Sequence, residues 1–203
     1  LGLVLMGSQA FFYNAIFFTY AMMLTDFYGV PSERTGYYVL PFALGNVMGP
    51  LILGRFFDTV GRKPMIVLTY GASALLLAIT GLLFSHGLLD ATTQTLCWSA
   101  TFFFASAAAS SAYLTVAESF PIEVRAFTIA IFYALGTGLG GVAAPWLFGV
   151  LIESGSRGNV LGGYLFASGL MALAAVVAAW LGIRSEGQPL ESVARPLSWR
   201  DDD

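Results

Sequence analysis

The chain has 203 residues, 57% of them apolar and only 10% charged, with a mean hydropathy of +0.76 and a formal net charge of −3. Soluble domains carry roughly a quarter charged residues, so this chain has too little polar surface to cover a fold in water, and the solvent it suits is lipid. No basic run could neutralise a row of phosphates, which excludes nucleic acid as a partner. Cys97 and His86 are the sole residues of their kinds, which excludes an internal disulfide and any cysteine-cluster or multi-histidine metal site; no cofactor is expected.

Crossing a bilayer core of roughly 30 Å takes about 20 apolar residues in a helix, which satisfies its own backbone. Six stretches meet this requirement: Leu1–Thr25, Tyr37–Phe57, Met65–Phe84, Leu96–Ala117, Phe127–Ile152 and Val160–Ile183. The predicted fold class is therefore all-α, a polytopic membrane protein of six transmembrane helices. Its bundle spans residues 1–183, and a polar tail over 184–203 is expected to be disordered. The chain opens at Leu1 on apolar sequence without a basic n-region, so a truncated polytopic protein is expected rather than a signal peptide.

In chain order, the first span carries Gln9, Tyr13, Asn14 and Tyr20, uncharged polar groups that cost free energy in hydrocarbon unless they face the bundle interior. A turn over Gly29-Val30-Pro31-Ser32-Glu33-Arg34 leads to the second span, where Gly45 and Gly49 flank Asn46 in a G-x-x-x-G that suits close helix contact and an interhelical hydrogen bond, with substrate contact as the alternative. Between the second and third spans comes Gly54-Arg55-Phe56-Phe57-Asp58-Thr59-Val60-Gly61-Arg62-Lys63, in which Gly54 would admit a neighbouring helix and Gly61 would form the turn. Ser85-His86-Gly87 begins the next connector. Ser106, Ser110, Ser111 and Tyr113 follow in the fourth span. Glu118-Ser119-Phe120-Pro121-Ile122-Glu123-Val124-Arg125 then joins it to the fifth, with Pro121 enforcing the break. The fifth span holds Gly136-Thr137-Gly138-Leu139-Gly140-Gly141. This satisfies a dinucleotide-binding spacing but lies inside a membrane span with no strand before it, so flexibility or tight helix packing is its reading.

Lys and Arg counted in alternate connectors divide seven (Arg55, Arg62, Lys63, Arg125, Arg184, Arg195, Arg200) against two (Arg34, Arg157). The richer side belongs in the cytoplasm, which puts both chain ends there. No Asp or Glu lies mid-span and His86 falls in a connector, so the nucleophile and base of an intramembrane hydrolase are missing and an enzyme is not expected.

The G-x-x-x-D-x-x-G-R-K spacing of Gly54, Asp58, Gly61, Arg62 and Lys63 resembles the signature loop of the major facilitator superfamily. Glu118 to Arg125 is similar to the E-x-F-P-x-x-x-R segment of its sugar porters and metabolite–proton symporters. The resemblance implies the C-terminal six-helix half of a twelve-helix secondary transporter. It further implies a charge network of Asp58, Arg62, Glu118 and Arg125 that closes the cytoplasmic gate in one state and parts in the other. Gln9 and Asn14 match the Gln-x-x-x-x-Asn spacing with which sugar porters bind hydroxyls, although five residues turn an ideal helix by about 500° and leave the two side chains about 140° apart. Both line one cavity only if the helix is broken or the cavity is wide. Tyr113 stands where that branch has a tryptophan, and the glycine stretch stands where it keeps polar contacts. A hexose is therefore one candidate among small polar metabolites and organic acids. The substrate-binding candidates are Gln9, Tyr13, Asn14, Asn46 and Tyr113. The expected partners are a small-molecule substrate, the bilayer (a bacterial inner membrane) and the missing N-terminal half. A six-helix channel or scaffold working as a homo-oligomer is the alternative.

Overall fold

The computed structural model describes residues 1–182; the polar tail predicted for 184–203, with Arg184, Arg195 and Arg200, lies outside the described residues. Among these, helices account for nearly everything and no strand occurs. Helix α1 (Gly2–Phe17) is followed by α2 (Tyr20–Tyr28) and a 3-10 turn (Ser32–Arg34). Then come α3 (Thr35–Thr59), α4 (Arg62–Ser85), α5 (Ala91–Ser119), α6 (Ile122–Glu153) and α7 (Arg157–Leu181). Five helices are long and apolar enough to span a membrane singly, and α1 with α2 makes a sixth span bent by 43°.

The bend has a local cause. The Thr19 hydroxyl donates back to the Ala15 carbonyl, and the Thr19 N–H turns to Ile16 at 3.2 Å instead of continuing the α-helical ladder. Helix α2 then stops at Gly29, whose φ of 64° is one a side chain would resist; the Val30 N–H reaches back six residues to the Leu24 carbonyl. Helix α5 starts earlier than its hydropathy predicts, because Asp90 and Thr93 cap it reciprocally. The Thr93 N–H donates to Asp90 Oδ1 at 2.7 Å and the Asp90 N–H to Thr93 Oγ1 at 2.8 Å, and the backbone donor holds the Asp90 carboxyl below the usual carboxylate range.

The most extensive helix contacts are α4 with α7, α1 with α6, and α3 with α5. Exchanging the first three spans for the last three turns α3·α5 into α6·α1 and leaves α4·α7 unchanged. The contact pattern is thus that of two equivalent three-span units. Glycines make the two exchangeable crossings. A Cβ on Gly45 or Gly49 would overlap the backbone of Ser99 or Phe103 in α5, while one on Gly140 would lie 2.5 Å from the Phe11 nitrogen in α1. The tight-packing reading therefore holds at Gly45 and Gly49, and within the 136–141 glycine stretch at Gly140. Ser99 Oγ seals the first crossing by donating to the Pro41 carbonyl at 2.5 Å.

Replacing Gly49 with Ala should therefore force α3 from α5 and cost about 2 kcal/mol, as overpacking does. Gly71 has open space where its Cβ would stand, so Gly71→Ala should be neutral or stabilising by up to roughly 1 kcal/mol. Thermal unfolding of the two variants in one detergent checks the difference.

Candidate functional site

Two groups of polar residues stand out, one at an end of the bundle and one near its middle. At the end, the segment read as a loop is mostly helix. Helix α3 runs to Thr59, only Val60 and Gly61 separate it from α4, and Arg62 and Lys63 already belong to α4. The turn is this short because Gly61, buried with φ 113°, takes a backbone conformation that side chains rarely adopt. Gly54 receives no helix: nothing among the described residues comes within 4 Å of where its Cβ would stand. Instead it lines a cleft of about 140 Å³ with Pro50, Asp58, Arg62, Ser110 and Ser111.

Arg62 is the centre of this end. Its guanidinium pairs with Glu118 of α5, both side chains being largely covered at 23% and 13% exposure, and it approaches Asp58 of α3 at 3.8 Å. Asp58 itself is 78% exposed. Three helices are thus tied through one cation, with a dry contact on one side and a wet one on the other. Arg125 serves the neighbouring turn, where Nε and Nη2 both donate to the Phe120 carbonyl at 3.4 Å and brace the chain around Pro121. The Lys63 stem lies against the end of α7 at Gly182.

Near mid-span, the Tyr13 hydroxyl of α1 donates to Asn46 Oδ1 of α3, and the Tyr13 ring rests on Phe102 of α5 with centroids 4.6 Å apart. Asn46 thus makes the interhelical bond predicted for it, and its partner is Tyr13, not Gln9 or Asn14. The bend of the first span falls at Phe18–Thr19, beyond both of those residues, so it does not bring them to one face. Asn14 donates to the Ala10 carbonyl at 2.7 Å and faces Gly141 of α6, whereas Gln9 keeps part of its surface open without a hydrogen bond among the described residues.

Prolines add to this layer. Pro50 cannot supply the N–H that the Asn46 carbonyl would take in an unbroken helix, and Pro145 leaves the Gly141 carbonyl in the same state. Each released carbonyl belongs to a residue already next to a polar side chain, Tyr13 in one case and Asn14 in the other. Sequence reasoning missed these carbonyls, although a proline four residues after a polar or glycine residue within a span is the signal for them. It also missed Tyr133 of α6, which faces Tyr113 with ring centroids 6.0 Å apart and shares its partial exposure. No group of three metal-ligating side chains forms among the described residues.

An apolar helix bundle with a neutral polar layer at mid-depth and an arginine-centred ion pair at one end defines an integral, multi-pass membrane protein. The family model of the Major Facilitator Superfamily matches residues 2–201, and the chain belongs to that superfamily of secondary transporters. Comparison with curated proteins gives no match.

The unequal wetting of the two carboxylates around Arg62 gives a ranking. In double-mutant cycles the Arg62–Glu118 coupling should be roughly 1–3 kcal/mol, against under about 1 kcal/mol for Arg62–Asp58, where water screens the pair. Thermal unfolding of Arg62→Gln, Glu118→Gln, Asp58→Asn and the two double variants supplies both terms.

Proposed function

We propose that this chain forms one half of a secondary active transporter for a small polar solute, a sugar, an organic acid or a related metabolite, working by alternating access. The observation that carries the reading is the uneven cover of the spans. In the apolar windows of α4, α5 and α7 between 44% and 50% of residues are buried, but in α3 and α6 only 11% and 12%. Those two bare helices carry Asn46 with its released carbonyl and the released carbonyl of Gly141. A second six-helix half laid over them would enclose the mid-depth polar layer between two bodies, where transporters of this architecture hold substrate.

The solute then meets hydrogen-bonding groups and aromatic faces from this half: Tyr13, Asn14 and Asn46, with Gln9 and the Tyr113–Tyr133 pair on the side nearer Arg62. Glu118 to Arg125 and the Gln9–Asn14 spacing support the branch of sugar porters and metabolite–proton symporters, while Tyr113 in place of a tryptophan widens the choice beyond hexoses. A proton-coupled version would draw its membrane-depth acid from outside the described spans, none of which carries a carboxylate at mid-depth. The excess of Arg and Lys at the Arg62 end supports a cytoplasmic location for that end, and for both chain ends, in a bacterial inner membrane. The Arg62–Glu118–Asp58 group is then the cytoplasmic gate.

Uptake by the full natural chain in proteoliposomes, with a panel of radiolabelled sugars and organic acids, tests this. Saturable flux that shows counterflow is expected; non-saturable conductance would replace the transporter with a channel. With any solute that is carried, Asn46→Ala or Asn14→Ala should raise the half-saturation concentration about tenfold, the worth of one lost hydrogen bond. Asp58→Asn should lower the maximal rate severalfold and leave half-saturation unchanged.

A further inference from the structure

Around Gly141 of α6 stand three oxygens that take no hydrogen bond from the described residues. Pro145 releases the Gly141 carbonyl from the helix. The Asn14 side chain of α1 spends its Nδ2 on the Ala10 carbonyl at 2.7 Å, and its Oδ1 is left over. The Thr137 hydroxyl makes no hydrogen bond among the described residues, although those of Thr69, Thr80, Thr101 and Thr115 all bond back to their own helices. The three residues are neighbours. The Thr137 side chain lies 3.5 Å, and the Asn14 amide 3.7 Å, from where a Cβ on Gly141 would stand. Next to them Gly140 brings α6 against the backbone of Ala10 and Phe11, which holds the group in place, and all three residues keep part of their surface open.

Oxygen lone pairs at membrane depth attract a cation or a hydrogen-bond donor. Here every oxygen is uncharged. Helix α1 has no acidic residue, and those of α6, Glu123 and Glu153, stand at its two ends. Magnesium and calcium sites draw on carboxylates, whereas a carbonyl freed at a helix break is a ligand that neutral sites use for a monovalent ion. We infer that the Gly141 carbonyl, Asn14 Oδ1 and Thr137 Oγ1 bind a sodium ion between α1 and α6, with water or the solute completing its shell. Its role as the coupling ion rests on the transporter reading above. An ion held there joins α1 to α6 beside the mid-depth layer, and a solute oxygen that completes its shell binds more tightly when the ion is present.

Thermal unfolding of the full natural chain in detergent tests the site without any solute, in rising sodium chloride with choline chloride holding the ionic strength constant. Sodium should raise the unfolding temperature saturably, by about 2 °C at roughly tenfold the half-effect concentration. Asn14→Ala should abolish the shift. So should Pro145→Ala, whose new N–H takes up the Gly141 carbonyl; it carries the test alone should Asn14→Ala not fold. Gly71→Ala, on α4, should keep the shift. A parent that shows no saturable response overturns the ion site, and so does a shift that survives in either site variant. Counterflow in proteoliposomes is read separately. A missing sodium shift beside intact counterflow removes the site and leaves the transporter, whereas a sodium shift beside non-saturable conductance removes the transporter and leaves the site.

Discussion

Everything in this bundle rests on the approach of two helix pairs to backbone contact without a hydrophobic force between them. In lipid a leucine gains nothing by leaving the bilayer for a neighbouring helix, so association depends on close van der Waals contact and on polar groups with nowhere better to go. The crossing of α3 over α5 meets that condition at Gly45 and Gly49, where the missing side chains let the Ser99 and Phe103 carbonyls come in directly. The crossing of α1 over α6 meets it at Gly140, against the backbone of Ala10 and Phe11. Either crossing opened by one methyl group would move a whole span, and the layers on both sides would move with it.

The polar layer follows from these crossings. Once α3 lies tightly on α5, the stretch that includes Asn46 and Pro50 is fixed in depth, and Tyr13 finds Asn46 within reach. Once α6 lies tightly on α1, Gly141 and the carbonyl released by Pro145 come beside Asn14. A released carbonyl in hydrocarbon is costly unless protein, water or a ligand takes it up. Those at Asn46 and Gly141 lie mid-span in α3 and α6, the least buried of the long helices, and Pro41 releases a third, that of Tyr37, near the start of α3. Helix breaks are tolerable in a membrane where they line a wet cavity, and here they occur on the two long helices that the bundle itself covers least.

The spans were legible in the sequence because the length and apolarity that lipid demands leave few alternatives. The glycine crossings were legible for the same reason, since G-x-x-x-G has little other use inside a membrane. Helix ends were less so. The polar run Thr92-Thr93-Gln94-Thr95 reads as a connector by hydropathy, yet the Asp90–Thr93 cap starts α5 there. The bend at Thr19 was hidden because neither proline nor glycine marks it; a threonine hydroxyl bonded to its own helix produces it, and most threonines here do that without bending anything. Partners far apart in the chain were the least legible of all. Tyr13 and Asn46 could each be singled out as polar residues at membrane depth, but only the fold, which lays both α1 and α3 against α5, brings them within reach of each other.

The same reasoning separates the two charged ends. Arg62 is bound to a covered carboxylate on one side and an exposed one on the other, while Arg157 is bound to rings and a carbonyl with no counter-ion among the described residues. An ion pair in dry surroundings is strong, but hydration of the two separated ions offsets most of the loss once water reaches it. Its hold is therefore governed by how tightly the surrounding helices exclude water. A cation over aromatic faces has little to lose from added salt and keeps its grip mainly through shape. In the proposed cycle, water reaching the Asp58–Arg62–Glu118 end would weaken it as it opened, whereas the grip of Arg157 lasts for as long as its rings stay in place. A tie that loosens as it wets suits an end that has to part and close again, and a tie set by shape suits an end that keeps its helices in register.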